Sequence, residues 1–242
     1  MKKYVSVFSL IAKNSLFRIL GLLLLLVAAD GVLVWYWICV QGYALSNLFR
    51  NGTGGFGIVL AVIFALIAVV QSRRGDMYSG PQGYTMRRLA ISEKAVAALQ
   101  ILYNLLCWLL LWGVQVLSVF VICKVCCHYG ADGAWANQQL FLQFYISPLL
   151  HSLLPMEETL AWVANAVMIA ELSVASACWA VFRREKKGIG NMLAVYWAVI
   201  LFFRRELGSF FWNVLIIAGF SILLVMDCYQ LFWRKKEGED YA

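Results

Sequence analysis

An all-α, polytopic membrane protein of six transmembrane helices is the fold this chain predicts, and three observations predict it. Of its 242 residues, 63% are hydrophobic and only 14% charged, with a mean hydropathy of +0.77; a soluble domain needs a more mixed, charged surface. Six apolar stretches reach or approach the roughly 17 to 25 residues needed to cross about 30 Å of hydrocarbon. Lysine and arginine gather in alternate connections between those stretches, as expected when basic loops stay on the cytoplasmic side. With 3 prolines and 18 glycines, and no polar low-complexity tract, there is no room for a sizeable soluble domain. Residues 1–242 read as one transmembrane domain.

Along residues 1–18, MKKYVSVFSLIAKNSLFR, Lys2, Ser6, Ser9 and Lys13 recur at helical spacing while Tyr4, Val7, Phe8 and Ile11 line another face. That pattern predicts an amphipathic helix lying on the inner leaflet. A signal peptide is the competing reading, since a basic stretch precedes ILGLLLLLVAA, but the number of later spans favours the interfacial helix. The spans are expected at 19–40, 56–71, 95–122, 159–182, 189–203 and 209–232, the second short and opening on a glycine-rich run, the last two separated by RRELG. Each must be helical, because hydrocarbon offers no partner to an open backbone group. With both termini inside, 16 of the 20 Lys and Arg fall in cytoplasmic segments and 4 outside. The basic pI of about 9.1 is thereby assigned to anionic lipid, with no nucleic-acid partner required.

The first cytoplasmic loop concentrates charge between two apolar spans: GYTMRRLAISEKAVAALQ holds Arg87, Arg88, Glu93 and Lys94. SGPQG breaks the chain before it, because Pro81 lacks a donor and the glycines permit turn dihedrals. Ser92 is placed to cap the third span, with Glu93 favoured in its first turn. Residues 84–91 then form a short interfacial helix offering apolar side chains around an arginine pair. It serves either as a docking element or as a plain topology anchor.

The stretch YTMRRLAISEKAVAALQILYNLL resembles the first cytoplasmic loop and third helix of the ABC-2 type permeases. The layout of about 240 residues, six spans and internal termini is most similar to the small permeases of lantibiotic and other peptide-antibiotic immunity and export systems. The resemblance implies a coupling helix at 84–91, with Tyr84, Met86, Arg87, Arg88 and Leu89 meeting an ATP-binding subunit, and an N-terminal helix flanking that subunit. It also implies two copies of the ATP-binding subunit, which would hold ATP and Mg, a second permease subunit, identical or related, and a place in the bacterial cytoplasmic membrane. The expected cargo is a hydrophobic or amphipathic peptide. The chain departs from many relatives in placing its long external segment, 123–158, after the third helix instead of before the sixth, so no external substrate contacts are carried over.

Nucleotide chemistry is not expected in this chain itself. It lacks G-x-x-x-x-G-K-[ST], and although GTGGFG places Gly52, Gly54 and Gly57 in a G-x-G-x-x-G spacing, no strand precedes it and it opens a spanning helix. No cofactor and no catalytic or metal-binding residue is assigned here. In the external segment, CKVCCHYG groups Cys123, Cys126, Cys127 and His128. Adjacent Cys126 and Cys127 are poorly placed to share one tetrahedral zinc, and C-x-x-C-H is not met; packing thiols come first, an external disulfide among Cys123, Cys126 and Cys127 second, and a metal site last. Residues 140–155 are apolar, too short to span and marked by proline, which suits a re-entrant or interfacial hairpin, a lid over an outward cavity.

Ionisable groups within spans draw attention because burying charge in lipid costs at least a few kcal/mol. Asp30 and Glu171 lie mid-span and are expected to face the protein interior, as substrate contacts or as structural polar groups. Trp108 and Trp112, about one turn apart in the third helix, either line the same path or form a packing stripe. Two other function classes compete with the exporter subunit. For an intramembrane enzyme, PMEETLAW invites comparison with glutamate-pair membrane proteases, but Trp162 stands where their arginine is wanted, and His128 and His151 fall in the external segment. A secondary transporter would favour a repeat between the halves, and none is visible.

Overall fold

The computed structural model describes residues 2–13, 15–41, 53–72, 92–129, 144–145, 147–156, 158–182 and 210–233. Among them the chain is helical, with no strand, and four helices are long and apolar enough to cross a membrane. We label the elements α1 (Lys2–Lys13), α2 (Leu16–Trp35, continuing as a wide π-helical turn over Tyr36–Val40), α3 (Thr53–Ser72) and α4 (Glu93–Tyr129). The remaining three are α5 (Pro148–Leu153), α6 (Thr159–Phe182) and α7 (Phe210–Phe232). The four long apolar stretches are Leu16–Val40, Lys94–Val125, Thr159–Ala180 and Phe210–Phe232; Gly55–Gln71 of α3 is a shorter apolar helix. The expected fifth span, 189–203, and the expected coupling helix, 84–91, lie outside the described residues.

α6 sits at the centre. Of its apolar window 61% is buried, against 11% for α7, although its mean hydropathy, 1.5, is the lowest of the four long helices. The cause is a run of small side chains. Ala161, Ala164, Ala175, Ala177 and Ala180 are all buried, so α4 and α7 approach its backbone closely, the packing that substitutes for a hydrophobic driving force inside lipid. Ser173 and Ser176 turn back onto the carbonyls of Ile169 and Leu172, at 2.7 and 2.6 Å, so neither hydroxyl is left open in an apolar surrounding. Asn104 of α4 donates to the Ser173 carbonyl at 3.3 Å, and the Cys178 thiol donates to the Asp227 carbonyl of α7 at 3.3 Å. Elsewhere, large apolar residues such as Leu24, Val62, Leu117 and Ile222 remain exposed on the outside of the bundle, as a lipid-facing surface requires.

α1 is amphipathic as its spacing predicts, with Val7 and Ile11 buried and Phe8 packed beside them; Tyr4, expected on the same face, is exposed. It lies against α4: Phe8 meets Tyr103 edge to face at 6.0 Å, and the Tyr103 hydroxyl is hydrogen-bonded to Ser15 Oγ at 2.9 Å. Ser92 caps α4, its carbonyl and Oγ accepting from the Ala95 amide at 3.0 and 3.4 Å. At 37 residues, α4 is roughly 55 Å long at 1.5 Å per residue, well beyond about 30 Å of hydrocarbon. It also outruns its expected end at 122: KVCCHY contains no proline or glycine, so nothing stops the helix before Tyr129. The first seven residues of the segment 123–158 are therefore helical.

Candidate functional site

A crevice of about 50 Å³ opens between α3, α4, α5 and α6. Leu60 and Phe64 of α3 form one wall, Trp108, Leu111, Trp112 and Gln115 of α4 a second. On α4 the spacing of 108, 111, 112 and 115 follows i, i+3, i+4, i+7, which places all four on one face. Asn165, Met168, Ile169 and Leu172 repeat the same spacing on α6, and Ser152 and Leu153 of α5 close the remaining side. Phe64 and Trp108 lie with ring centroids 4.7 Å apart. Trp112 meets the exposed Trp162 edge to face at 6.1 Å.

α5 belongs to the segment 140–155, of which the structure describes 144–145 and 147–155. Pro148 at its first turn needs no donor, and Ser147 caps it through Oγ, a start that suits a short helix. Its residues Leu149 through Leu153 are buried. Two side chains from the bundle hold its end: Trp112 Nε1 donates to the Leu153 carbonyl at 2.8 Å, and Asn165 Nδ2 donates to the Ser152 carbonyl at 3.0 Å. Those carbonyls belong to the last turn, where helix acceptors lack intrahelical partners.

Next to the crevice, Asp30 of α2 is fully buried, at 0% exposure. Its Oδ2 accepts from Ser118 Oγ at 2.8 Å and from Gln115 Nε2 at 3.2 Å. Gln115 thus belongs to both places: its amide nitrogen serves Asp30 and its side chain lines the crevice. Among the described residues no hydrogen-bond partner meets Asp30 Oδ1, Gln115 Oε1, Asn165 Oδ1 or Trp108 Nε1.

Of the residues singled out from the sequence, Trp108 and Trp112 line the crevice and Asp30 stands one residue behind its wall. Glu171 does not join them. It is fully buried on α6, neither of its carboxylate oxygens has a hydrogen-bond partner among the described residues, and it faces α7, within electrostatic reach of Asp227 and Cys178. Asp227 of α7 is itself 2% exposed. Tyr84, Met86, Arg87, Arg88 and Leu89 lie outside the described residues. Cys123 is buried on α4, and Cys126 and Cys127 lie on the same helix, their side chains outside the described set.

Glu158 of PMEETLAW accepts from Asn213 Nδ2 at 3.2 Å while its carbonyl starts α6, a structural engagement at a helix start. Gly54 and Gly57 fall within the first turns of α3, not in a loop that wraps phosphate. Sequence reasoning passed over Gln115 and Asn165. The signal was present: amides within apolar windows obey the same rule that drew attention to Asp30 and Glu171. No family model, curated protein or solved structure matches the chain.

Proposed function

We propose that this chain is the membrane-spanning permease subunit of an ATP-driven ABC exporter in a bacterial cytoplasmic membrane. In this reading it moves a hydrophobic or amphipathic peptide, as in antibiotic immunity or export. The resemblance of YTMRRLAISEKAVAALQILYNLL to the first loop and third helix of ABC-2 permeases suggests the reading, and the overhang of α4 is the observation that carries it furthest. Tyr103 bonds to Ser15 just where α2 begins, so the ten residues before Tyr103 extend roughly 15 Å past the start of the first span. That extension follows directly on the charged loop 84–91. A force applied to the loop would be delivered to the base of a single long helix whose middle lines the crevice. α1, packed at the root of that extension through Phe8 against Tyr103, would move with it.

ATP and Mg belong in this reading to two copies of a separate ATP-binding subunit, and a second permease, identical or related, completes the path. Both termini are cytoplasmic. The first experiment is co-purification of the full chain with the products of neighbouring genes. Recovery of a polypeptide bearing an ATP-binding motif is the expected result, and consistent recovery of none overturns the reading. The double variant Arg87→Glu, Arg88→Glu tests the handle itself: membrane insertion stays normal while association with that subunit weakens. If the variant still stimulates ATPase activity as the unaltered chain does, residues 84–91 are not the docking element.

A further inference from the structure

The contact between α6 and α7 is tied at two levels and carries an unmatched acid between them. Asn213 Nδ2 of α7 donates to Glu158, just before α6, at 3.2 Å, and the Cys178 thiol of α6 donates to the Asp227 carbonyl at 3.3 Å. Glu171 stands between those ties, about two turns before Cys178. It is 0% exposed, and neither of its carboxyl oxygens meets a hydrogen-bond partner among the described residues. A carboxylate so enclosed, without a donor or a counter-ion, is strongly unfavourable.

No cation within the described helices is placed to offset that charge. α3, α6 and α7 contain no lysine, arginine or histidine along their lengths. On α4, Asn104 bonds to the Ser173 carbonyl, which sets that level of α4 beside Glu171. The basic residues of α4, Lys94, Lys124 and His128, lie ten or more positions from Asn104, roughly 15 Å or more along the axis. The ionisable groups that face Glu171 are all acids: Asp227, 2% exposed, and the thiols of Cys178 and Cys228. Nearby on α4, Tyr103 turns to Ser15 and leaves the buried thiol of Cys107; α3 has no ionisable residue at all.

We infer that Glu171 is a reversible proton-binding site between α6 and α7. As a carboxylic acid it is neutral, and the two helices close over it. When its O–H bond breaks and the proton passes to water, the carboxylate that remains is an unpaired anion beside Asp227, and α7 withdraws to let solvent reach it. α7 is the helix suited to that movement, with 11% of its apolar window buried against 61% for α6. These groups do not gather as a metal-ligand set among the described residues, so the ligand is the proton alone. The site stands whether or not the chain belongs to an exporter.

The test uses the full chain in nanodiscs, with carbon-13 in the glutamate carboxyl groups, and isotope-edited infrared spectroscopy. A protonated glutamate band is expected at neutral pH, lost in alkaline buffer, restored on return, and missing from Glu171→Gln, which keeps the shape of the neutral acid. Hydrogen exchange reads the helix movement. At matched alkaline pH the α7 amides of the unaltered chain exchange at least about tenfold faster than those of Glu171→Gln, because only the carboxylate carries a buried unpaired charge. In mildly acidic buffer the two chains exchange alike. Should Glu171→Gln fail to fold, the band of the unaltered chain still decides. Absence of a protonated glutamate band at neutral pH, a band indifferent to alkaline buffer, or equal α7 exchange in both chains at alkaline pH overturns the site.

Discussion

Ser118 supplies one of the two hydrogen bonds that Asp30 receives, and its loss leaves a fully buried carboxyl group with Gln115 as its remaining donor among the described residues. Ser118→Ala is therefore expected to destabilise the protein by about 1–3 kcal/mol, the range for removing a partner from a buried polar group, measured as a fall in thermal midpoint in detergent. Trp112→Phe keeps an aromatic ring and deletes the indole donor to Leu153, which should cost about 1–2 kcal/mol and raise amide exchange in residues 149–153 before any other helix loosens. At this scale the sequence was partly legible. Asp30 and Trp108 stand out in their windows and both prove buried; which neighbours they meet does not, because Gln115 and Ser118 lie on a different helix some 85 residues away. Glu171 was equally conspicuous and turns the other way, since a helical position fixes a face but not the helix that covers it.

Among the elements, α6 makes the clearest wager on small residues. Ala164 and Ala177 are both 0% exposed, so Ala164→Leu or Ala177→Leu must push neighbouring helices apart, at a cost of about 1–3 kcal/mol; a lowered midpoint in a denaturant titration of the purified protein checks it. α1 offers a graded comparison. Tyr103→Phe removes the hydroxyl that bonds to Ser15, worth about 1 kcal/mol, whereas Tyr103→Ala also empties the contact with Phe8 and should cost about 3–5 kcal/mol, with α1 exchanging its amides first. Helix starts were readable where a cap exists, as Ser92 shows. Ends were not: the third span is expected to stop at 122, yet no residue in KVCCHY opposes helical dihedrals, and α4 continues to Tyr129.

For the whole molecule, composition and hydropathy suffice to predict a helical chain with helices long and apolar enough to cross a membrane, while the order of helices around the centre needs the packing itself. One sequence cue does correlate with it. The most enclosed of the long helices, α6, is the least hydropathic, because a helix shielded by protein is excused from matching lipid. The proposed six-span topology predicts that Lys187→Cys, in a background lacking native cysteines, reacts with an impermeant thiol reagent only from the cytoplasmic side and Arg205→Cys only from outside; labelling of both from one side removes the fifth span. The attachment of α5 has a consequence of its own. Its end is tied to α4 by one hydrogen bond and to α6 by another, each lost once stretched by roughly an ångström. Should those two helices slip against each other, α5 cannot follow both. It would work as a strain gauge, reporting relative sliding of its two anchors as a break at Leu153 or at Ser152.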